Sequence, residues 1–169
     1  MTSRHRQLPD RFVLTDAARD IDPFQQLTHL KSTDALLYRH YEWPRSDRLA
    51  LARVLRKTCK ENGTPFLVAG DYRLACEVEA DGLHLPPWAP KRGRNWTRQI
   101  RPGWIVTAAA HSEVEVRNAA LAGAAAVLIS PVFETESHPG AKPLGVMRFA
   151  QLAASAAMPV YALGGVTSG

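Results

Sequence analysis

A small set of polar residues stands where apolar runs of this chain stop, and their types suit the handling of phosphate. Arg39 follows Ala35-Leu36-Leu37-Tyr38, where a guanidinium would clamp a phosphate through two parallel N–H donors. Its alternative use is a surface ion pair. Asp71 follows the run Pro65 to Ala69, where a carboxylate would hold Mg2+ against phosphate oxygens or cap the next helix. The two uses are compatible. His84 lies inside the run Gly82 to Leu85 and reads first as a hydrogen-bonded core residue. His111 stands beside Ser112, a cap candidate, so structural and ligand-binding uses are both open. The segment Pro131 to Gly140 carries Thr135, Ser137 and His138 among Gly and Pro breakers, the composition of a loop that closes over a ligand. Gly164-Gly165 ends the last apolar run, where glycines let backbone N–H groups come close to an anion.

The elements that must position these residues repeat in one order. Phe12–Thr15 reads as a strand; Asp22, Pro23 and Gln25 then make a capping box for a helix to about Leu30. Ala35–Arg39 is the second strand. A helix runs from about Asp47 to Asn62, with Leu49, Val54 and Leu55 toward the core and Gly63 as its stop. Pro65–Ala69, a short helix Tyr72–Val78 and the strand Gly82–Leu85 follow. A short helix near Trp96–Ile100 is all the pattern places between Pro86 and Arg101. The strand Trp104–Thr107 leads to a second capping box, Ser112 with Glu115, and a helix ending at Gly123. The strand Ala125–Ile129, the helix Val146–Ala156 and the strand Pro159–Leu163 complete the series.

Seven short apolar strands alternating with helices describe a parallel sheet covered on both faces. Strict alternation admits an open doubly wound sheet or a closed barrel. The first strand lacks a Gly-x-Gly-x-x-Gly turn, which weighs against the dinucleotide-binding form. The repeat length fits a TIM-type (β/α)8 barrel, here truncated after strand seven and forming one domain over residues 1–169. Active sites of such barrels lie at the C-terminal ends of the strands, so Arg39, Asp71, Thr135 and Gly165 are expected at one rim.

Composition sets the remaining bounds. With 46% apolar and 22% charged residues, the chain has the balance of a globular protein. No apolar stretch approaches the roughly 20 residues of a membrane span. Met1 to Phe12 has no apolar core of a secretory signal, and the two cysteines, Cys59 and Cys76, have no metal-like spacing. A cytoplasmic setting is expected. The net charge of +5 points to an anionic partner. The run Lys91-Arg92-Gly93-Arg94 with Trp96 and Arg98 has the makings of a nucleic-acid patch, but the other positives are scattered, which argues against nucleic acid. Small phosphorylated ligands account for the charge equally well.

The ordered motifs resemble the thiamine phosphate synthases and their TenI-type relatives. Ala108–Ser112 looks like the family's Ser-x-His-Ser turn, and Ile129–Ser137 is similar to its Gly-Pro-Val-Phe-x-Thr loop. Pro143–Gly145, Pro159–Thr167 and Ala80–Leu85 complete the match. The resemblance implies two ligands, a thiazole phosphate and a pyrimidine diphosphate, with Mg2+ assisting departure of pyrophosphate. It assigns Arg39 and His138 to the catalytic positions and Asp71 to the metal. Arg39, His111, Thr135, Ser137, Gly164 and Gly165 take the substrate. Four positions depart from the pattern. Gly70 replaces an Asn, Ala89 the second metal carboxylate, Ala109 a serine and His138 a lysine. The absent second carboxylate and Phe133-Glu134-Thr135 look more like the TenI-type branch, whose members include thiazole tautomerases needing no metal. Pro131 stands where the tautomerase histidine would be. Three readings follow: a synthase-like transferase, a tautomerase, and a non-catalytic binder of phosphate ligands. Nothing in the residues specifies an oligomeric state.

Overall fold

The computed structural model describes residues 7–15, 22–87, 100–134 and 142–165. By proximity the chain divides into two compact units, Met1–His84 with Arg101–Ile105 and Leu85–Ile100 with Val106–Gly169.

The first unit is built around β1 (Arg11–Leu14), β2 (Asp34–Tyr38), β3 (Phe66–Ala69) and β4 (Gly82–Leu85, whose last residue belongs to the second unit). Between them run α1 (Pro23–Thr28), α2 (Arg45–Glu61) and α3 (Tyr72–Glu77). The strands pair in parallel and in chain order, with Val13 opposite Leu36, Leu37 opposite Leu67, and Val68 opposite Leu83. Every residue of β2, β3 and β4 is buried, as strands covered on both faces must be. The second unit holds β5 (Ile105–Ala110, after its first residue), α4 (Glu113–Leu121), β6 (Ala126–Ile129), α5 (Gly145–Ser155) and β7 (Val160–Ala162). Its ladders are also parallel, with Ala109 opposite Leu128 and Leu128 opposite Tyr161.

Local chemistry sets most boundaries. The Asp22 carboxylate accepts from the Phe24 N–H at 2.9 Å and Pro23 occupies the first turn, so α1 starts as expected. The Gln26 amide donates to the Leu14 carbonyl at 3.3 Å and ties α1 to β1. Ser112 Oγ accepts from the Glu115 N–H at 3.3 Å, while the Glu115 carboxylate accepts from the N–H of His111, one residue ahead of the cap, at 2.8 Å. Gly63, at φ +69°, stops α2.

Two expectations are corrected. Val54 is 50% exposed; the core face of α2 is Ala52, Leu55 and Cys59, spaced three and four residues apart on one stripe. Strand β5 continues to Ala110, because pairing of Thr107–Ala110 with Ala126–Ile129 overrides the weak strand preference of alanine.

Gly82 opens β4 for a steric reason. A Cβ there would lie 2.0 Å from the Ile105 carbonyl oxygen, and the Ile105 N–H donates to the Asp81 carbonyl at 2.9 Å. The buried Asp81 carboxylate beside it pairs with Arg56 at 2.9 Å and accepts from the Phe66 N–H at 2.9 Å. Among the described residues, no helix is long and apolar enough to cross a membrane.

Candidate functional site

At the end of β2 the chain is held from both sides. The Thr15 hydroxyl accepts from the Arg39 N–H at 3.2 Å and meets His40 Nδ1 at 3.1 Å. The His40 ring stacks on Tyr38, with centroids 4.9 Å apart, and meets Trp43 edge-on at 4.7 Å. Arg39 is half-buried, with its guanidinium carbon 5.9 Å from the centroid of the Tyr41 ring. Among the described residues it has no carboxylate partner, whereas Arg11, Arg45, Arg48, Arg53 and Arg56 each have one. His84, buried as expected, has its pKa pushed down to about 3 by burial first and by the Arg39 charge second. Its imidazole is therefore neutral at pH 7, and Arg39 lies near enough to repel a proton from it.

Asp71, after β3, is occupied. Its Oδ1 accepts from the Leu74 N–H at 2.9 Å, the expected cap of α3. Its Oδ2 faces Arg45 at 3.5 Å and Arg48 at 3.3 Å. Glu77 extends the network, taking Arg45 at 2.9 Å and Arg53 at 3.2 Å. A hard cation wants several free carboxylate or carbonyl oxygens, and guanidinium groups close by repel it. Among the described residues, no group of three or more His, Cys, Asp and Glu residues is gathered in a way that fits a metal ion. The described donor set does not fit Mg2+. The arginines of this network went unmarked in the sequence, although Arg45 and Arg48 sit three residues apart after Pro44, on one side of the first turn of α2.

The second unit builds its strand ends from backbone. His111 Nδ1 hydrogen-bonds the Ser130 carbonyl. A carbonyl only accepts, so Nδ1 carries the proton and Nε2 of the neutral ring is left as an acceptor. After β6 the chain runs alongside the end of β7. The Val132 N–H donates to the Leu163 carbonyl at 3.0 Å, and the Phe133 N–H to the Gly164 carbonyl at 3.1 Å. The start of α5 is anchored to the same stretch, Leu144 N–H to Pro131 carbonyl at 2.9 Å and Gly145 N–H to Val132 carbonyl at 3.0 Å. Gly164 and Gly165 have φ of +90° and +68°. A Cβ on Gly165 would lie 2.5 Å from the Glu134 carbonyl oxygen and 2.6 Å from Phe133 Cβ, so this close approach requires glycine.

Arg39 and Asp71 thus follow neighbouring strands of the first unit, and His111, Gly164 and Gly165 lie at strand ends of the second. Thr135, Ser137, His138 and Ala89 lie outside the described residues, as do the run Lys91–Arg98, all but the last residue of the expected Trp96–Ile100 helix, and Val166–Gly169.

Parallel β/α units with polar groups after the strands define the class, an α/β protein of the TIM-barrel type. A solved thiamine phosphate pyrophosphorylase from Pyrococcus furiosus has this fold and superposes with a TM-score of 0.76, at 24% identity over 95% of this chain and 76% of that one. Residues 13–169 match the family described as thiamine monophosphate synthase, TMP-TENI, and the chain belongs to that family of thiamine biosynthesis. It is 30% identical over 164 residues to a putative thiamine-phosphate synthase 2 from Aquifex aeolicus, covering 95% of this chain and 87% of that protein. It is 33% identical over 125 residues to a thiamine-phosphate synthase from Lactiplantibacillus plantarum, covering 72% of this chain and 56% of that protein.

Proposed function

We propose that the chain acts as one cytoplasmic barrel domain that binds the phosphorylated thiazole and the pyrimidine diphosphate joined in thiamine phosphate synthesis. The observation that carries the proposal is Arg39, a half-buried guanidinium after β2 with no described carboxylate to neutralise it. An arginine held in place by Thr15 and left without an acid is suited to an anion from outside. Gly164 and Gly165 supply backbone at the end of β7, Thr135 and Ser137 supply hydroxyls, and His111 Nε2 and His138 supply groups able to accept or give a proton.

In the synthase reaction the thiazole nitrogen attacks the methylene carbon of the pyrimidine. A C–N bond forms, the C–O bond to the diphosphate breaks, and pyrophosphate leaves with the bonding pair. The protein's contribution is to hold the reacting atoms in line and offset the charge on the departing oxygens, with Arg39 as the group for that charge. Purified protein incubated with both substrates and Mg2+ is expected to yield thiamine phosphate. Absence of product at high enzyme concentration sinks the transferase reading.

One observation favours a second reading, a metal-free thiazole tautomerase. Both Asp71 oxygens are engaged by the α3 cap and by Arg45 and Arg48. Turnover of a thiazole carboxylate phosphate that survives EDTA selects it. Calorimetric binding of thiazole phosphate without turnover, weakened by Thr135→Val, would select a binding-only protein.

A further inference from the structure

Arg48 is a largely buried arginine whose donors are only partly matched. It rises from the first turn of α2 and keeps only 11% of its side-chain surface exposed. One nitrogen, Nη1, reaches Asp71 Oδ2 at 3.3 Å. Its other two nitrogens, Nε and Nη2, are buried without a hydrogen-bond partner among the described residues. Buried donors of a charged group are ordinarily matched, because desolvating them without an acceptor is costly. Asp71 cannot supply both acceptors, since Oδ1 is held by the Leu74 N–H and Oδ2 is shared with Arg45.

Around Arg48 positive charge is in excess. Arg45, Arg48 and Arg53 share Asp71 and Glu77 as their carboxylate partners among the described residues, and Arg39 has none there. Tyr38 links the two arginines: Arg39 follows it in the chain, and its hydroxyl donates to the Arg48 carbonyl at 3.1 Å. The Arg39 guanidinium carbon lies 5.9 Å from the centroid of the Tyr41 ring, whose phenol pKa is raised by burial and by Glu42 and drawn back by Arg39 and Arg48.

We infer that Arg48 is a second anion-binding residue beside Arg39, and that the pair holds a phosphate or diphosphate group without a divalent metal. The inference rests on the proposed phosphorylated ligands and deepens that reading. Phosphate oxygens satisfy Nε and Nη2 together, the side-on bidentate geometry that planar guanidinium offers. A ligand oxygen reaches them by rotation of the long arginine stem, and Asp71 remains anchored by its cap and by Arg45. Asp71 then tunes the arginine instead of ligating a cation.

The two roles of Asp71 predict opposite signs, which makes it the discriminating substitution. Asp71→Asn keeps a side-chain oxygen for the cap of α3. Inorganic pyrophosphate binding is measured by calorimetry at fixed ionic strength, once with EDTA and once with Mg2+. The expected result is wild-type binding that Mg2+ does not tighten, equal or tighter binding by D71N, and about tenfold or weaker binding by Arg48→Met. Arg48→Met also removes the unmatched donors, so its melting temperature is expected to hold or rise while its stabilisation by pyrophosphate shrinks. Arg48→Lys, with charge but no fork, is expected to fall between.

Tightening by Mg2+ in the wild type that D71N abolishes would overturn the inference. So would equal pyrophosphate affinity in R48M and the wild type. Either result alongside wild-type binding of thiazole phosphate leaves the proposed function standing. Failure of the wild type to bind both pyrophosphate and thiazole phosphate overturns the two together.

Discussion

The strand ends of the first unit are organised by side-chain charge, whereas those of the second are organised by backbone. After β2 and β3 the partners are Arg45, Arg48, Asp71 and Glu77, joined through guanidinium and carboxylate groups, with Arg39 left unpaired by any described acid. After β6 and β7 the partners are the peptide groups of Val132, Phe133, Leu163 and Gly164. The ion pair found among the described residues of the second unit, Arg148 with Glu113 at 3.2 Å, is half exposed and joins α5 to α4. The difference sets how each end tolerates change. A charge network can be rewired by substitution at little cost to folding, while a backbone cradle rejects any added atom. Side-chain charge is therefore expected to drift in the first unit, and the shape of the turn after β7 to be held in the second.

The largest test of this contrast is Gly165→Ala. The new methyl meets backbone and Cβ at 2.5–2.6 Å, in a conformation at φ +68° that disfavours a side chain. A loss of about 3 kcal/mol is expected in urea unfolding, combining backbone strain with overpacking. A loss below about 1 kcal/mol would mean the turn relaxes, and the contrast would fail.

A middle-sized effect is expected from acid. Burial alone would raise the Asp34 pKa, but the Arg11 guanidinium at 2.7 Å and the Lys31 N–H at 2.9 Å outweigh it, and the net shift is downward. A depressed carboxylate pKa stabilises the fold above the unfolded value of about 3.9. That contribution is lost as pH falls through the lower folded value. Arg11→Met is expected to lower the melting temperature at neutral pH and to shrink the part of its acid-side fall that lies below about pH 4. An unchanged profile between the two proteins would remove Asp34 from the account.

The smallest effect belongs to Glu77→Gln. Its arginine partners are more than half exposed, so the expected loss is about 0.5 kcal/mol and should vanish in high salt. A loss several times larger would show the network to be a cooperative support of the fold.

Much of this was legible in the residues. Asp22, Asp71 and Ser112 cap helices at the positions their types suggest, and Gly63 ends α2, because caps and stops depend on neighbours within a turn. Val54 misled because hydrophobicity alone ranks it above Ala52 and Cys59, yet the buried stripe is chosen by which side of α2 meets the strands. The residue pattern stops the fifth strand at Thr107 because the alanines after it carry little strand signal of their own.

By itself, then, the chain of residues specified the alternation of strands and helices, most caps and stops, and the ordered motifs that mark the family. These depend on periodicity and short-range hydrogen bonding. Only the tertiary structure decided that Asp71 faces Arg45 and Arg48, residues 26 and 23 positions away, and that Arg39 keeps its charge uncompensated by any described acid. It alone decided that Gly165 lies against Phe133 and Glu134. Charges choose partners through space, and steric exclusion acts between segments that meet only after the strands have paired. Neither is written in local pattern.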